Sequence, residues 1–173
     1  MSFLSQYIIN ISSLNEGLYE FDFNLDNNLF KHFGYQDFNS CKIAVHVKLF
    51  KKSNLLDLNF SSKGKININC FVSNEPFDYI QTHIMDLVVK FGPELNNENE
   101  ELLILPKGTY QIDISQQLYE MIVLSLPLKV IHPGIENGTL KSETLNRLKK
   151  YESNTKKNIS KIDPRWDKLK DLI

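Results

Sequence analysis

Apolar and polar residues alternate with a period of two through most of the N-terminal half, the signature of strands buried on one face. Gln6 to Ile11 reads as a first short strand. From Leu18 to Phe23, Tyr19, Phe21 and Phe23 share one face, with acidic residues between them. Asp26 or Asn27 then caps a short helix ending near Phe33, where Gly34 supplies the stop. The clearest alternation runs from Lys42 to Phe50, placing Ile43, Val45, Val47 and Leu49 on one side and Lys42, His46 and Lys48 on the other. Leu55 to Phe60 and Lys65 to Cys70 repeat the pattern, and Ser62-Lys63-Gly64-Lys65 between them reads as a hairpin connection. Asn74-Glu75-Pro76 interrupts the alternation. Residues 77–91 then form one long strand with a bend, and Pro93 to Glu101 reads as a polar, acidic, exposed loop. Leu102 to Leu105 and Gln111 to Ile114 are short β segments.

Beyond residue 114 the period lengthens. Ser115 is placed to cap a helix from Gln116 to Ser125, with Leu118, Ile122 and Ser125 on one face and Pro127 as terminator. Leu140 to Lys150 reads as a charged helix with Leu140, Leu145 and Leu148 as its apolar stripe. Ser153 to Ser160 reads as a lysine-bearing linker. A last helix begins at Asp163-Pro164, where Asp caps and Pro occupies the first helical position. There is no internal repeat. The pattern therefore predicts an α+β fold: an antiparallel β-meander body with one packed helix (residues 1–132) and a helical, basic C-terminal extension (residues 133–173).

Composition narrows the class. With 7 Gly and 6 Pro against 11 Phe and 7 Tyr in 173 residues, the chain is neither collagenous nor low-complexity, and it carries enough apolar mass for one core. No apolar run has the length of a membrane span. The N-terminus lacks the basic region and apolar core of a signal peptide, which makes the cytoplasm the expected compartment. Cys41 and Cys70 are too few for a disulfide framework or a four-cysteine zinc site, and are expected to be reduced, semi-buried thiols.

The formal net charge of −1 hides a division. Residues 1–128 carry 9 Lys and Arg against 15 Asp and Glu, whereas residues 129–173 carry 11 against 6. The body should repel a phosphate backbone and the extension can approach one.

The search for catalytic chemistry is negative. There is no nucleophile elbow, no phosphate-cradling glycine loop and no zinc helix. His32, His46, His83 and His132 lie too far apart in sequence to suggest a ligand set, and the carboxylates show no spacing tied to acid–base work. The expectation is a protein that is not an enzyme, with no catalytic residue, cofactor, metal or small-molecule substrate.

The chain closes with Asp163-Pro164-Arg165-Trp166-Asp167-Lys168-Leu169-Lys170, which holds its only tryptophan. Two readings stand: an amphipathic helix packing back onto the body, or a docking element in which Trp166 anchors a partner. This segment resembles the C-terminal signature of the YceD-like family, the large ribosomal RNA subunit accumulation proteins. Three further segments agree in family order. Gly64 to Cys70 resembles the family strand leading into a Cys-x-Arg-Cys element, and Leu87 to Gly92 resembles the strand after it. Leu118 to Lys129, followed by His132, resembles the helix and Leu-Pro segment of Bacteroidetes members. The resemblance implies a non-enzymatic factor in the making or accumulation of large-subunit ribosomal RNA.

The chain departs from the family pattern at Cys70-Phe71-Val72-Ser73, which lacks the arginine and second cysteine, and residues 130–162 contain no cysteine. A thiolate metal site is therefore not expected. The expected partners are large-subunit ribosomal RNA or its precursor, held weakly and electrostatically, and a ribosomal protein drawn to the acidic body. The contact residues would be Arg147, Lys149, Lys150, Lys156, Lys157, Arg165, Trp166 and Lys168. An adaptor that binds only protein is the alternative.

Overall fold

The computed structural model describes residues 3–93, 96–99 and 102–158, with side chains placed for residues 4–93 and 102–151. A 3-10 turn at Phe3–Tyr7 leads into β1 (Ile8–Asn10), β2 (Gly17–Asp26) and helix α1 (Asn27–His32). Three long strands follow, β3 (Phe38–Lys51), β4 (Leu55–Asn69) and β5 (Pro76–Gly92). Short strands β6 (Asn96–Asn99), β7 (Leu102–Pro106) and β8 (Gln111–Asp113) precede helices α2 (Ser115–Leu124), α3 (Pro133–Glu136) and α4 (Glu143–Asn158). The fold is α+β. Its contacts divide the chain into two units, one of Met1–Asn69 with Pro76–Val130, the other of Cys70–Glu75 with Ile131–Ile173.

In the first unit, β2 to β5 form the expected antiparallel meander inside a six-stranded sheet of order β2-β3-β4-β5-β7-β6, while β1 and β8 pair as a separate two-stranded ribbon. The inner face collects the alternating apolar set. Ile43, Val45, Val47 and Leu49 of β3 are all buried, as are Leu56, Leu58, Phe60, Ile66 and Ile68 of β4 and Leu87 and Val89 of β5. Helix α2 contributes the buried Leu118, Met121 and Ile122. Aromatic contacts tie the α1 segment to its neighbours: Phe33, just after α1, stacks on Tyr119 of α2 at 4.6 Å between centroids, and Phe30 meets Phe38 of β3 edge-on at 4.9 Å.

Four local readings are corrected. Ser62 to Lys65 is not a hairpin, because β4 runs unbroken from Leu55 to Asn69. Gly64 sits opposite Ile43 on β3 and Gln81 on β5. A Cβ there would meet the Lys42 carbonyl oxygen and stand 2.5 Å from Ile43 Cα. The glycine marks a close approach of two strands rather than a turn. The segment expected as a loop at 93–101 contains β6, which pairs antiparallel with β7. Because β6 makes the return pass, β7 emerges parallel to β5 and lies between the two.

The remaining two corrections concern helices. Ser115 does not cap α2; it is buried as the first helical residue, and its amide donates to Asp113 Oδ1 at 2.9 Å. The linker expected from Ser153 is helical as far as Asn158, because α4 continues through it.

The predicted cap of α1 is present. The Asp26 carboxylate accepts from the Asn28 amide at 3.0 Å and from Asn28 Nδ2 at 2.8 Å. Asp26→Ala is expected to cost about 1 kcal/mol and lower the thermal midpoint by roughly 2–4 °C. Calorimetry would check this, and an unchanged midpoint would mean the cap contributes nothing.

The core holds a polar island. Gln81 Nε2 donates to Ser62 Oγ at 3.0 Å and to Ser125 Oγ at 3.1 Å, and Ser62 Oγ in turn donates to the His83 carbonyl. Gln81 Oε1 is buried with no hydrogen-bond partner among the described residues. Small side chains at Ser62 and Gly64 leave the inner face room for this amide beneath the end of α2.

Candidate RNA and partner interface

Helix α4 carries most of the sequence-predicted contact residues. Ser142 precedes it, with its carbonyl accepting the Asn146 amide at 3.1 Å. Glu143 lies in the first turn, where a carboxylate suits the helix dipole. Arg147 Nη2 donates to Glu143 Oε1 at 2.6 Å, an exposed pair one helical turn apart, which contributes a few tenths of a kcal/mol. At ~100° per residue, positions 147, 149, 150, 156 and 157 fall within one half of the helical circumference, and positions 145, 148 and 151 fall within the other.

Lys149 and Lys150 are exposed, as are Leu148 and Tyr151, while Leu145 is half-buried. From Arg147 to Lys157 the helix rises roughly 15 Å, enough to follow a few consecutive phosphates. The structure therefore puts Arg147, Lys149, Lys150, Lys156 and Lys157 on one helix. Arg165, Trp166 and Lys168, together with the helix expected from Asp163, lie outside the described residues.

The outer face of the sheet belongs to the first unit and is of mixed charge. Glu20 and Asp22 of β2 stand opposite Lys48 and His46 of β3. His46 Nδ1 lies 2.8 Å from Asp22 Oδ1, and Lys48 Nζ lies 3.8 Å from Glu20 Oε1. Farther across, Lys52 pairs with Asp57 at 2.6 Å, and Asn59 and Asn67 donate to Asp86 and Asp78. Between these polar groups Leu18, Phe50, Ile80 and Ile84 are exposed. Pairing charges across strands gives a solvated face with little net field.

Cavities of about 350–490 Å³ open at the α1 turn, beside the end of β2, and near α2. The one beside β2 is lined by Asp26, Lys42 and Lys63, but gathers no nucleophile–base pair. Among the described residues, no group of three or more His, Cys, Asp or Glu could hold a metal.

Both cysteines are free and buried, more fully than the sequence suggested. Cys70 opens the turn that follows β4, and its Sγ accepts a hydrogen bond from the His132 amide at 3.3 Å. Burial pushes this thiol up, but hydrogen bonds from Ser73, His132 and Val72 outweigh burial and leave its pKa below the ordinary value. A single thiol offers no tetrahedral donor set. His132 serves a structural role instead: its Nδ1 accepts from the Gly134 amide at 2.8 Å, capping α3. The signal in the sequence was His132-Pro133-Gly134, a polar residue followed by Pro at the first helical position.

The sequence pattern of one protein family, described as large ribosomal RNA subunit accumulation protein YceD, matches residues 58–173. No curated protein and no solved structure matches the chain. The match begins within β4 and covers the turn at Cys70, β5, α2 and α4. No helix among the described residues is long and apolar enough to cross a membrane.

Proposed function

The chain belongs to the YceD family of large ribosomal RNA subunit accumulation proteins, and from that premise we propose that it is a non-enzymatic cytoplasmic factor supporting the synthesis or accumulation of large-subunit ribosomal RNA. The observation that carries this reading is the clustering of Arg147, Lys149, Lys150, Lys156 and Lys157 positions on one half of α4. In this reading the extension from residue 133 approaches RNA phosphate, with Arg165, Trp166 and Lys168 adding to the contact, and the acidic body meets a ribosomal protein. Contact of these cations with phosphate gives weak binding that tracks the backbone rather than the sequence.

The test is fluorescence anisotropy of a labelled large-subunit RNA fragment across a salt series. About four phosphate contacts to single-stranded RNA predict roughly a 50-fold loss of affinity between 50 and 200 mM salt. Reversing Lys149, Lys150, Lys156 and Lys157 to Glu should abolish that dependence. If the reversed protein binds as the wild type does, the helix is not the contact. If neither protein binds RNA, the adaptor reading takes its place, and pulldown with ribosomal proteins becomes the deciding assay. Co-sedimentation with large-subunit precursors, lost as salt rises, would place the contact on an assembling particle.

A further inference from the structure

The six-stranded sheet ends on two unlike edges. One is β6, four residues long, with the sequence Asn-Asn-Glu-Asn. Short polar strands of this kind are how proteins keep sheet edges from recruiting other chains. The other edge is β2, ten residues from Gly17 to Asp26, paired with β3 in unbroken register over its whole length. It contains no proline, no lysine and no bulge; its only guards against pairing are the carboxylates Glu20, Asp22 and Asp26, which repel an acidic strand and not a basic one. Among the described residues, no backbone hydrogen bond joins residues 18–26 to any element on the side away from β3. In an antiparallel pair every second residue turns its amide and carbonyl away from the partner strand, so these groups form an open row along β2.

The side chains along this row carry a definite chemistry. On the inner side Tyr19, Phe21 and Phe23 are only half-buried, unlike the fully buried residues at the same level of β3. A neighbouring strand would complete their burial. On the outer side stand Glu20 and Asp22, whose side chains are 53% and 84% exposed. Their cationic neighbours, Lys48 and His46, approach from β3, leaving the outward flank of both carboxylates to solvent.

A second copy of this chain is a poor occupant. Antiparallel pairing of β2 with itself places carboxylate against carboxylate in each well-overlapped register: Asp22 faces Asp22, or Glu20 faces Glu20, Asp22 or Asp26. Like charges directly opposite each other oppose strand pairing.

We propose that the β2 edge is a docking site for an extended basic peptide, which adds to the sheet as a seventh strand. Its main chain pairs with the open row of β2, its Lys or Arg residues lie beside Glu20 and Asp22, and its alternate apolar residues cover Tyr19, Phe21 and Phe23. Strand addition of this kind draws affinity from the main chain and selectivity from alternate side chains. The site lies in the first unit and does not use the cations of α4, so its failure and the failure of the RNA reading are separable.

The test uses the full-length chain and two fluorescein-labelled octapeptides, (Lys-Val)₄ amide and its backbone N-methylated analogue, which has the same charges and side chains but no amide donors. The unmodified peptide is expected to bind at least tenfold more tightly than the methylated one, and amide chemical-shift changes should centre on residues 18–26. The variant Glu20→Lys/Asp22→Lys, confirmed as folded by circular dichroism, should lose at least tenfold in peptide affinity while keeping its RNA salt response. Equal binding of the two peptides would reduce the contact to charge alone and overturn strand addition. Absence of binding, or shift changes centred on α4, would overturn the site.

Discussion

Gly64→Ala is expected to lose about 3 kcal/mol of stability and to lower the thermal midpoint by roughly 10 °C, at the upper end for the addition of one methyl group. The added Cβ meets main chain of β3, the Lys42 carbonyl oxygen and Ile43 Cα, and neither can swing aside as the tip of a flexible side chain could. Relief requires β3 and β4 to separate. These are central strands paired from Phe38 to Lys51, so the disturbance propagates along the ladder and into the Gln81–Ser62–Ser125 island. Gly34→Ala is the useful comparison. Gly34 has open space where its Cβ would stand but a φ of +76°, so only local backbone strain of about 1 kcal/mol is expected there. Chemical denaturation of both variants would measure the difference. A Gly64→Ala protein as stable as the wild type would mean that the two strands can move apart at no cost.

The same residue shows where sequence reading stops. Period-two alternation revealed β3, the aromatic face of β2 and the Ile66–Ile68 stretch of β4, because each strand buries one face and the pattern is local. Ser62-Lys63-Gly64-Lys65 has turn composition, yet its geometry is set by how closely β3 passes, a tertiary fact with no local signature. Nor could the polar residues of β6 announce a strand, since its pairing depends on β7, a separate segment further along the chain. The basic extension was legible as charge. The continuity of its helix as far as Asn158 was not, because Ser153, Asn154 and Thr155 resemble a loop in composition while α4 runs through them. The polar island was invisible for a related reason: Ser62 and Gln81 meet only because their strands are in register, and Ser125 arrives from a distant helix.

Alkaline pH should unfold the body. The Cys41 thiol is pushed from its ordinary 9.0 up to about 12, by burial first and then by the Asp26 carboxylate. The Tyr7 hydroxyl is pushed from 10.0 to about 12, again by burial first and then by Asp26. Both side chains are almost wholly buried. Between the unfolded and folded pKa values, the unfolded chain has released its proton while the native chain still holds it. Native protein then binds more protons, and stability falls as pH rises. The loss begins near pH 9 for Cys41 and near pH 10 for Tyr7, and is complete by about pH 12.

Holding these two protons above their ordinary range ties on the order of a few kcal/mol of stability to pH, shared between two groups that both feel Asp26. Tyr35, also raised by burial, acts in the same direction. Urea midpoints measured from pH 8 to pH 11 should fall steeply for the wild type and much less for a Cys41→Ala/Tyr7→Phe protein compared with its own midpoint at pH 8. A wild-type midpoint that stays level over this range would show that neither proton is retained by folding.

The pairing of β1 with β8 has a consequence for the order in which the chain can assemble. Ile8, Ile9 and Asn10 find their partners at Asp113, Ile112 and Gln111, about a hundred residues later, while β2, β3 and β4 each pair with the strand next made. Closing a short hairpin restricts the chain less than closing so long a loop. During synthesis the meander can therefore zip strand by strand as it emerges, but β1, made before it, must wait until residue 113 is available. Lys51, which donates to the Ile11 and Leu14 carbonyls, is made early enough to hold the loop after β1 against the sheet meanwhile. Strand β1 is thus stitched in after the strands that follow it, and the ribbon it forms with β8 closes only once the six-stranded sheet has been laid down.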